Sequence, residues 1–382
     1  MISFECDYNN GAHPKVLQRL IETNNEQSLC YGDDKWSMQA KEKIKAACGT
    51  PDAQVFFLTG GTQTNATVID SILHTYEGVI AVDSGHINTH EAGAIEFTEH
   101  KVITLRGKTI NLPNDKTTQI SCKPSAMKLA SNCRGAADIQ TKINLPNDQL
   151  GKMDPLELDK YLDDYMNDGS REHAVYPGMV YITFPTEYGT LYTAKELDDI
   201  YQLCRKYDIP LYVDGARLGY GLTATGNDIT LPYLTKHCDV FYIGGTKVGA
   251  LSGEAVVFTH NNAHNHFFSI QKQHGAVIAK GRLHGLQFDA LFTDNLYFDI
   301  ARHANVMAEK MRDLFKRKGY RFYIDSPTNQ QFVIINNAKA AELEKDVIFT
   351  HWGKADNQHV ICRFVTSWST TEEDLKELER IL

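Results

Sequence analysis

The run Leu211–Leu218, LYVDGARL, taken with Val240–Lys247, VFYIGGTK, constrains this chain more than any other feature. Ile209, Leu211, Tyr212 and Val213 predict a buried strand that delivers Asp214 at its end, with Gly215 for the turn and Arg217 just beyond. Val240–Ile243 predicts a second strand, which delivers Lys247 after two glycines. In a parallel sheet, ligands collect outside the carboxyl ends of the strands, so the acid, the arginine and the lysine are expected at one place. Each alone has an ordinary explanation, because Asp after a strand is a frequent turn residue and a lysine in a glycine-rich loop is usually solvated. Together they suit pyridoxal phosphate. That cofactor needs a lysine amine for its aldehyde and an acid that keeps its pyridine nitrogen protonated.

On VDGAR and the lysine-bearing loop, the chain resembles the fold-type I pyridoxal-phosphate enzymes and, within them, the threonine aldolase and β-eliminating lyase family. The resemblance runs from about residue 4 to the C-terminus. It implies an α/β fold with a mostly parallel central sheet between helices and a smaller C-terminal α+β domain, expected here as residues 1–258 and 259–382. It also implies that Lys247 carries the cofactor, that Asp214 pairs with its ring nitrogen, and that Arg217 and Arg363, the latter in an R-F-V-T element, grip a substrate carboxylate. The implied reaction is retro-aldol cleavage of an L-β-hydroxy amino acid of the threonine or allo-threonine type to glycine and an aldehyde. A β-eliminating lyase on the same scaffold is the second reading, and a non-catalytic protein that kept the fold is the third.

Three further stretches belong to this reading. Val55–Leu58 predicts a strand, and Thr59–Asn65, TGGTQTN, leads from it into a helix expected from about Ala66. Glycines let the backbone approach a ligand and free N–H groups at a helix start attract an anion, so Gly61, Thr62 and Gln63 are candidate phosphate contacts. This is neither a Walker loop nor a GxGxxG fingerprint. After the strand Val79–Val82, His86 stands in an H-x-x-x-x-E-A-G element, and the resemblance implies that its ring stacks on the cofactor. Many relatives carry a His where this chain has Glu187 in PTEYG, which leaves the base for the hydroxyl proton open. The segment GAVIAKGR places Lys280 near a position where the aldolases often have a phosphate-facing arginine; the implied assembly is a homodimer or homotetramer in which one subunit lends Lys280 to the other's site.

The strand, helix, strand rhythm around Ala194–Lys206 is that of βαβ units. A long helical region is expected over roughly Lys280–Lys318, then strands near Phe332–Asn336 and His359–Phe364. The hexapeptide INLPND occurs at 110–115 and again at 143–148, so residues 106–142 read as a surface insertion flanked by a duplicated target. A net charge of −9 with no basic stripe argues against nucleic acid. No run approaches about 18 apolar residues and the N-terminus lacks signal-peptide character, so a cytoplasmic enzyme without membrane contact is expected. The eight cysteines form no CxxC pair, and no metal site is expected.

Overall fold

A computed structural model of the chain describes residues 1–107 and 151–382. Among them, a seven-stranded sheet runs in the order Gln54–Leu58, Glu254–Phe258, Val240–Gly244, Leu211–Asp214, Tyr176–Thr183, Glu77–Val82, Lys101–Leu105. Neighbours are parallel except where Glu254–Phe258 runs antiparallel to the strands on either side of it. Leu211–Asp214 and Val240–Gly244 are buried throughout, because helices cover both faces; that is why they read as continuous apolar runs rather than alternating ones. Alternate residues divide between two cores. Ile80, Val180, Val213 and Phe241 pack on one face, and Val79, Tyr181, Tyr212 and Tyr242 on the other.

The helix Ala194–Lys206 forms as expected, closed at its start by a reciprocal Thr193–Glu196 capping box. Lys35–Cys48 begins where it does because Asp34 caps it, accepting from the Ser37 backbone N–H. A departure follows the first sheet strand: the helix runs Gly61–Ile72, so Gly61, Thr62 and Gln63 lie inside its first turn rather than in a loop before Ala66. Low helix propensity costs least there, where the N–H groups have no intrahelical partner in any case. The expected helix over 280–318 is two, Arg282–Leu291 and Leu296–Arg317, separated where Asp294 and Asn295 both take positive φ.

A second, antiparallel sheet follows the order Thr350–Lys354, His359–Val365, Gln330–Asn336, Arg321–Ile324. Met311 and Phe315 of the long helix and Leu375 and Leu378 of the last helix pack with Phe364 in its core. The first residues lie against this sheet: Ile2–Ser3 pairs in parallel with Val347–Ile348 as a separate two-stranded sheet, and Val365 N–H donates to the Phe4 carbonyl. The chain thus passes from the small sheet directly to Asp7 and Tyr8. Gly107 and Met153 form an antiparallel bridge, while the expected insertion beyond Gly107 and both INLPND copies lie outside the described residues. Among the described residues, no helix is long and apolar enough to cross a membrane.

Candidate active site

The carboxyl ends of the parallel strands converge on a cavity of about 420 Å³, lined by Tyr8, His86, Glu187, Arg217, Lys247 and Arg363 among others. The turns that carry Asp214 and Lys247 are pressed together: a Cβ on Gly215 would stand 1.9 Å from the Tyr242 carbonyl oxygen, and one on Gly244 would stand 2.1 Å from that of Ala216. Only glycine permits that approach, which explains both residues without invoking a ligand.

Asp214 is buried at the strand end. Its Oδ2 accepts from Tyr181 at 2.6 Å and Asn65 Nδ2 at 2.9 Å, and its Oδ1 from the Ala216 N–H at 2.9 Å. Burial alone raises its pKa, but His86 and the bonds from Tyr181, Tyr242 and Ala216 outweigh that and hold the carboxyl below the ordinary range. Asp214 is therefore a fixed, ionised acceptor. Gly61 stands against the same network, since a Cβ there would meet the Tyr242 hydroxyl at 3.3 Å.

Cations crowd the other side. Lys247 is pushed below its ordinary value by burial and then by the Arg217 guanidinium, against the pull of Asp7, Asp214 and Glu254. Glu254 accepts from the Gly245 N–H at 2.9 Å, and burial pushes its carboxyl up to about 7. Arg217 is committed to Asp7, with Nε and Nη2 each donating at 2.8 Å. Arg363 is far freer: among the described residues its Nη1 and Nη2 make only long bonds of 3.3 Å to Gln330 and Thr350 and its buried Nε has no partner, and its guanidinium lies 4.8 Å over the Trp352 ring. Burial and Arg217 push it down to about 10. An incoming carboxylate would answer both deficits, so the sequence expectation of two equivalent gripping arginines becomes one structurally braced arginine and one available fork.

The Asp7–Arg217 pair yields a prediction. Burial raises the Asp7 pKa, but Arg217, Lys247 and Asn329 more than offset it, so Asp7 sits below its ordinary value. Asp7→Asn leaves a largely buried guanidinium uncompensated and is expected to cost about 3–5 kcal/mol in denaturant unfolding near neutral pH. With the folded pKa depressed, this stabilisation is present above the ordinary carboxyl value and lost as pH falls through the folded one. The gap between the two proteins should therefore close in strong acid.

His86 joins two buried acids. Its Nδ1 lies 2.8 Å from Glu91 Oε1, and its backbone N–H donates to Glu187 Oε1 at 2.8 Å. Its ring stacks on His90 at 5.4 Å, and His90 on Trp352 at 5.7 Å. Asn65 Nδ2 also donates to Glu91 Oε1 at 2.6 Å, which ties the His86 group to Asp214. Glu187 accepts a second bond from Thr183 at 2.7 Å, yet its buried Oε2 has no partner among the described residues, and burial raises its pKa.

Of the expected phosphate contacts, Gly61, Thr62 and Gln63 form the first turn of a helix whose N-cap, Gly60, supplies no side-chain bond. The Gln63 amide is occupied, accepting from the Thr59 N–H and donating to the His274 carbonyl. Lys280 is not brought to the Lys247 cavity: it is exposed and lines a separate groove with Leu29 and Cys30.

The β-eliminating lyase family matches residues 9–338. This chain belongs to that family. The threonine aldolase of Leishmania major superposes with a TM-score of 0.85 at 34% identity, covering 100% of this chain and 98% of that one. Low specificity L-threonine aldolases of a Pseudomonas species and of Pseudomonas aeruginosa are 26% and 25% identical, over 98% and 99% of this chain and 95% and 96% of theirs. A Thermus thermophilus aspartate aminotransferase, 14% identical with a TM-score of 0.66, shares the fold.

Several residues of this family member's cavity escaped sequence reasoning. Asp7 and Tyr8 carry no motif and reach the site only because the N-terminus follows the small sheet. Tyr181, Tyr212 and Tyr242 did leave a signal, a hydroxyl in the middle of three successive apolar strands, VYI, LYV and FYI. A hydroxyl on a buried face needs a partner, and here the hydroxyls serve Asp214 and Asn65.

Proposed function

We propose that the chain binds pyridoxal 5′-phosphate and cleaves L-threonine-type β-hydroxy amino acids to glycine and an aldehyde. The observation that carries this reading is a lysine held below its ordinary pKa beside an ionised, fully hydrogen-bonded Asp214 and the under-partnered fork of Arg363. The residues fit the cofactor: the uncapped helix start at Gly61–Gln63 suits a phosphate, and Asp214 suits a cationic ring N–H. The threonine aldolases matched along the whole chain supply the substrate class.

In this reading Lys247 would hold the cofactor aldehyde, Asp214 its ring nitrogen and the Gly61–Gln63 turn its phosphate, and His86 would pack against its ring. The bound cofactor supplies an electron-withdrawing ring that takes up the pair left when a bond to Cα breaks. Arg363, braced by Trp352 and flanked by Arg217, fixes the substrate carboxylate and so selects the Cα–Cβ bond for cleavage. Glu187 takes the β-hydroxyl proton at its unpartnered Oε2, which turns the departing Cβ into an aldehyde carbon. Lys247, its amine released by the incoming substrate amine and protonated from it, would return a proton to Cα, and glycine would leave as Lys247 takes up the cofactor again.

The test is product analysis of the cofactor-loaded protein with L-threonine: glycine with acetaldehyde is expected, whereas pyruvate or 2-oxobutanoate with ammonia would replace this reading with an elimination. Glu187→Gln is expected to lower turnover by roughly 10²-fold, the lower end of what a positioned base supplies. The base must be ionised and its pKa lies above the ordinary 4.5 of a glutamate, so the wild-type rate should climb with pH above that value. The glutamine variant should lose that limb; an unchanged pH profile would remove Glu187 from the role.

The assembly and setting belong to the same proposal. Residues 1–258, apart from the first few, which pack with the small sheet, and residues 259–382 act as large and small domains of a cytoplasmic homodimer or homotetramer, and the exposed Lys280 serves the phosphate of a neighbouring subunit. Lys280→Ala should then weaken cofactor binding, read by equilibrium dialysis, without lowering turnover once loaded; unaltered affinity would exclude it.

A further inference from the structure

Asn65 and Glu91 stand behind the Lys247 cavity, and neither lines it. Asn65 is buried on the helix Gly61–Ile72. Its Oδ1 accepts from the Tyr212 hydroxyl at 2.7 Å, and its Nδ2 donates to Asp214 Oδ2 at 2.9 Å and to Glu91 Oε1 at 2.6 Å. Turned over, the amide would set its oxygen against both carboxylates, so this orientation is dictated and its two N–H groups are both spent. The Glu91 side chain is fully buried. Its Oε1 takes the Asn65 bond and lies 2.8 Å from His86 Nδ1, while its Oε2 has no partner among the described residues.

These contacts decide where the proton between Glu91 and His86 sits. On Oε2 it would be a buried donor with no acceptor among the described residues. On Oε1 it would discharge the oxygen that Asn65 approaches to 2.6 Å, shorter than the roughly 2.9 Å of a bond between neutral groups, as bonds to an ionised acceptor are. The proton therefore belongs to His86 Nδ1, and Glu91 is the ionised acceptor of two bonds at one oxygen. Burial raises the Glu91 pKa against the pull of His86 and Asn65, so its charge leans on those two bonds. The remaining nitrogen of His86 is then defined as well. Nε2 makes no hydrogen bond among the described residues and is not sealed from solvent, and the side chain, 31% exposed, lines the cavity. A half-turn of the ring would put a carbon in place of Nδ1 and leave Glu91 Oε1 short of a donor, so one bond fixes rotamer and tautomer together. His90 stacks against one face of the same imidazole at 5.4 Å.

We propose that Glu91 is a positioning residue for His86, holding the imidazole as the Nδ1–H tautomer with Nε2 bare, and that Asn65 joins this pair to Asp214 so that the imidazole and the acid are set as one unit. The joint is a shared donor. One amide nitrogen serves two carboxylates, so a change of charge at Glu91 alters what Asn65 gives to Asp214. Removing Glu91 also frees the ring to turn, although Glu91 itself touches nothing that enters the cavity. Only the effect on turnover rests on the proposed function; the tautomer of His86 does not.

The test reads the two ring nitrogens of His86 directly, from long-range ¹H–¹⁵N spectra of the full chain carrying ¹⁵N-histidine, with the His86 signals assigned by their loss in His86→Phe. The cofactor-free protein is used at about pH 9, above the ordinary histidine value of about 6.5, so that the tautomers of the uncharged ring are compared. Wild type is expected to show a protonated Nδ1 and a bare Nε2. Glu91→Leu, of similar volume without an acceptor, should release the ring to the Nε2–H tautomer that free histidine prefers. In the loaded protein the same variant should lower kcat by roughly 10-fold or more, the scale on which an orienting partner acts through another residue, with KM for L-threonine changing far less. Glu91→Gln, which can keep an oxygen at the Oε1 position, should recover most of that kcat. Nε2–H in the wild type would overturn the proposal, and this spectrum decides even if the leucine variant does not fold. Nδ1–H retained in a folded Glu91→Leu would overturn it too, as would a changed tautomer with unaltered kcat. The expected tautomers in a protein that cleaves no β-hydroxy amino acid would keep the positioning of His86 and refute the proposed function.

Discussion

Lys247→Ala is expected to abolish turnover, by roughly 10³-fold or more, the scale on which removal of a covalent or acid–base group acts. The fold should survive. Burial and the Arg217 charge already disfavour the Lys247 ammonium, and a lysine whose folded pKa is depressed contributes no stability at neutral pH. The cofactor-free variant should therefore melt no lower than the cofactor-free wild type, while the loaded wild type gains stability by mass action. Borohydride treatment of the loaded wild type followed by peptide mapping should find the cofactor attached at Lys247. Attachment at another lysine, or turnover retained in the variant, would overturn the assignment.

Asp214→Ala is expected to lower turnover by roughly 10²-fold or more, the cost of losing a preorganised charge partner, with a much smaller fall in bound cofactor. Both quantities come from one experiment, absorbance per chain beside initial rate. The variant also strands the Tyr181 hydroxyl and one Asn65 N–H in a buried setting, about 1–3 kcal/mol for each donor left unmet, so its unfolding midpoint should drop as well. Asp214→Asn keeps the volume but removes the charge, and separates the two effects. If the asparagine variant turns over like wild type with cofactor bound, the carboxylate has no electronic role.

Much of this was legible from local pattern. The strand runs ending at Asp214 and at Gly244 are apolar throughout because both faces of the sheet are covered, and burial on two faces leaves an unbroken signal in one short stretch. Helix boundaries were legible to within a turn where a cap residue stood at the right place, as with Thr193 and Glu196, and slipped where glycines opened a helix at Gly61. The division of Arg282–Leu291 from Leu296–Arg317 was hidden, because two residues in the left-handed region break a helix without proline or glycine to announce it.

The site divides along the same line. Sequence alone determined which residues stand at the strand ends, since strand and turn are local and a carboxyl end is where a parallel sheet exposes its side chains: Asp214, Lys247 and His86 follow from that rule, while Glu187 drew notice only by its departure from the family's pattern. Which of them are charged, and which are free to act, only the tertiary structure decided. Asp7 comes from 210 positions away to occupy Arg217, Asn65 bridges Asp214 to Glu91, and Arg363 enters from a different sheet with its Nε unused. Those contacts depend on how the N-terminal segment and the small sheet pack against the large one. Electrostatic strength follows distance and burial, and neither is a property of any stretch of chain taken by itself.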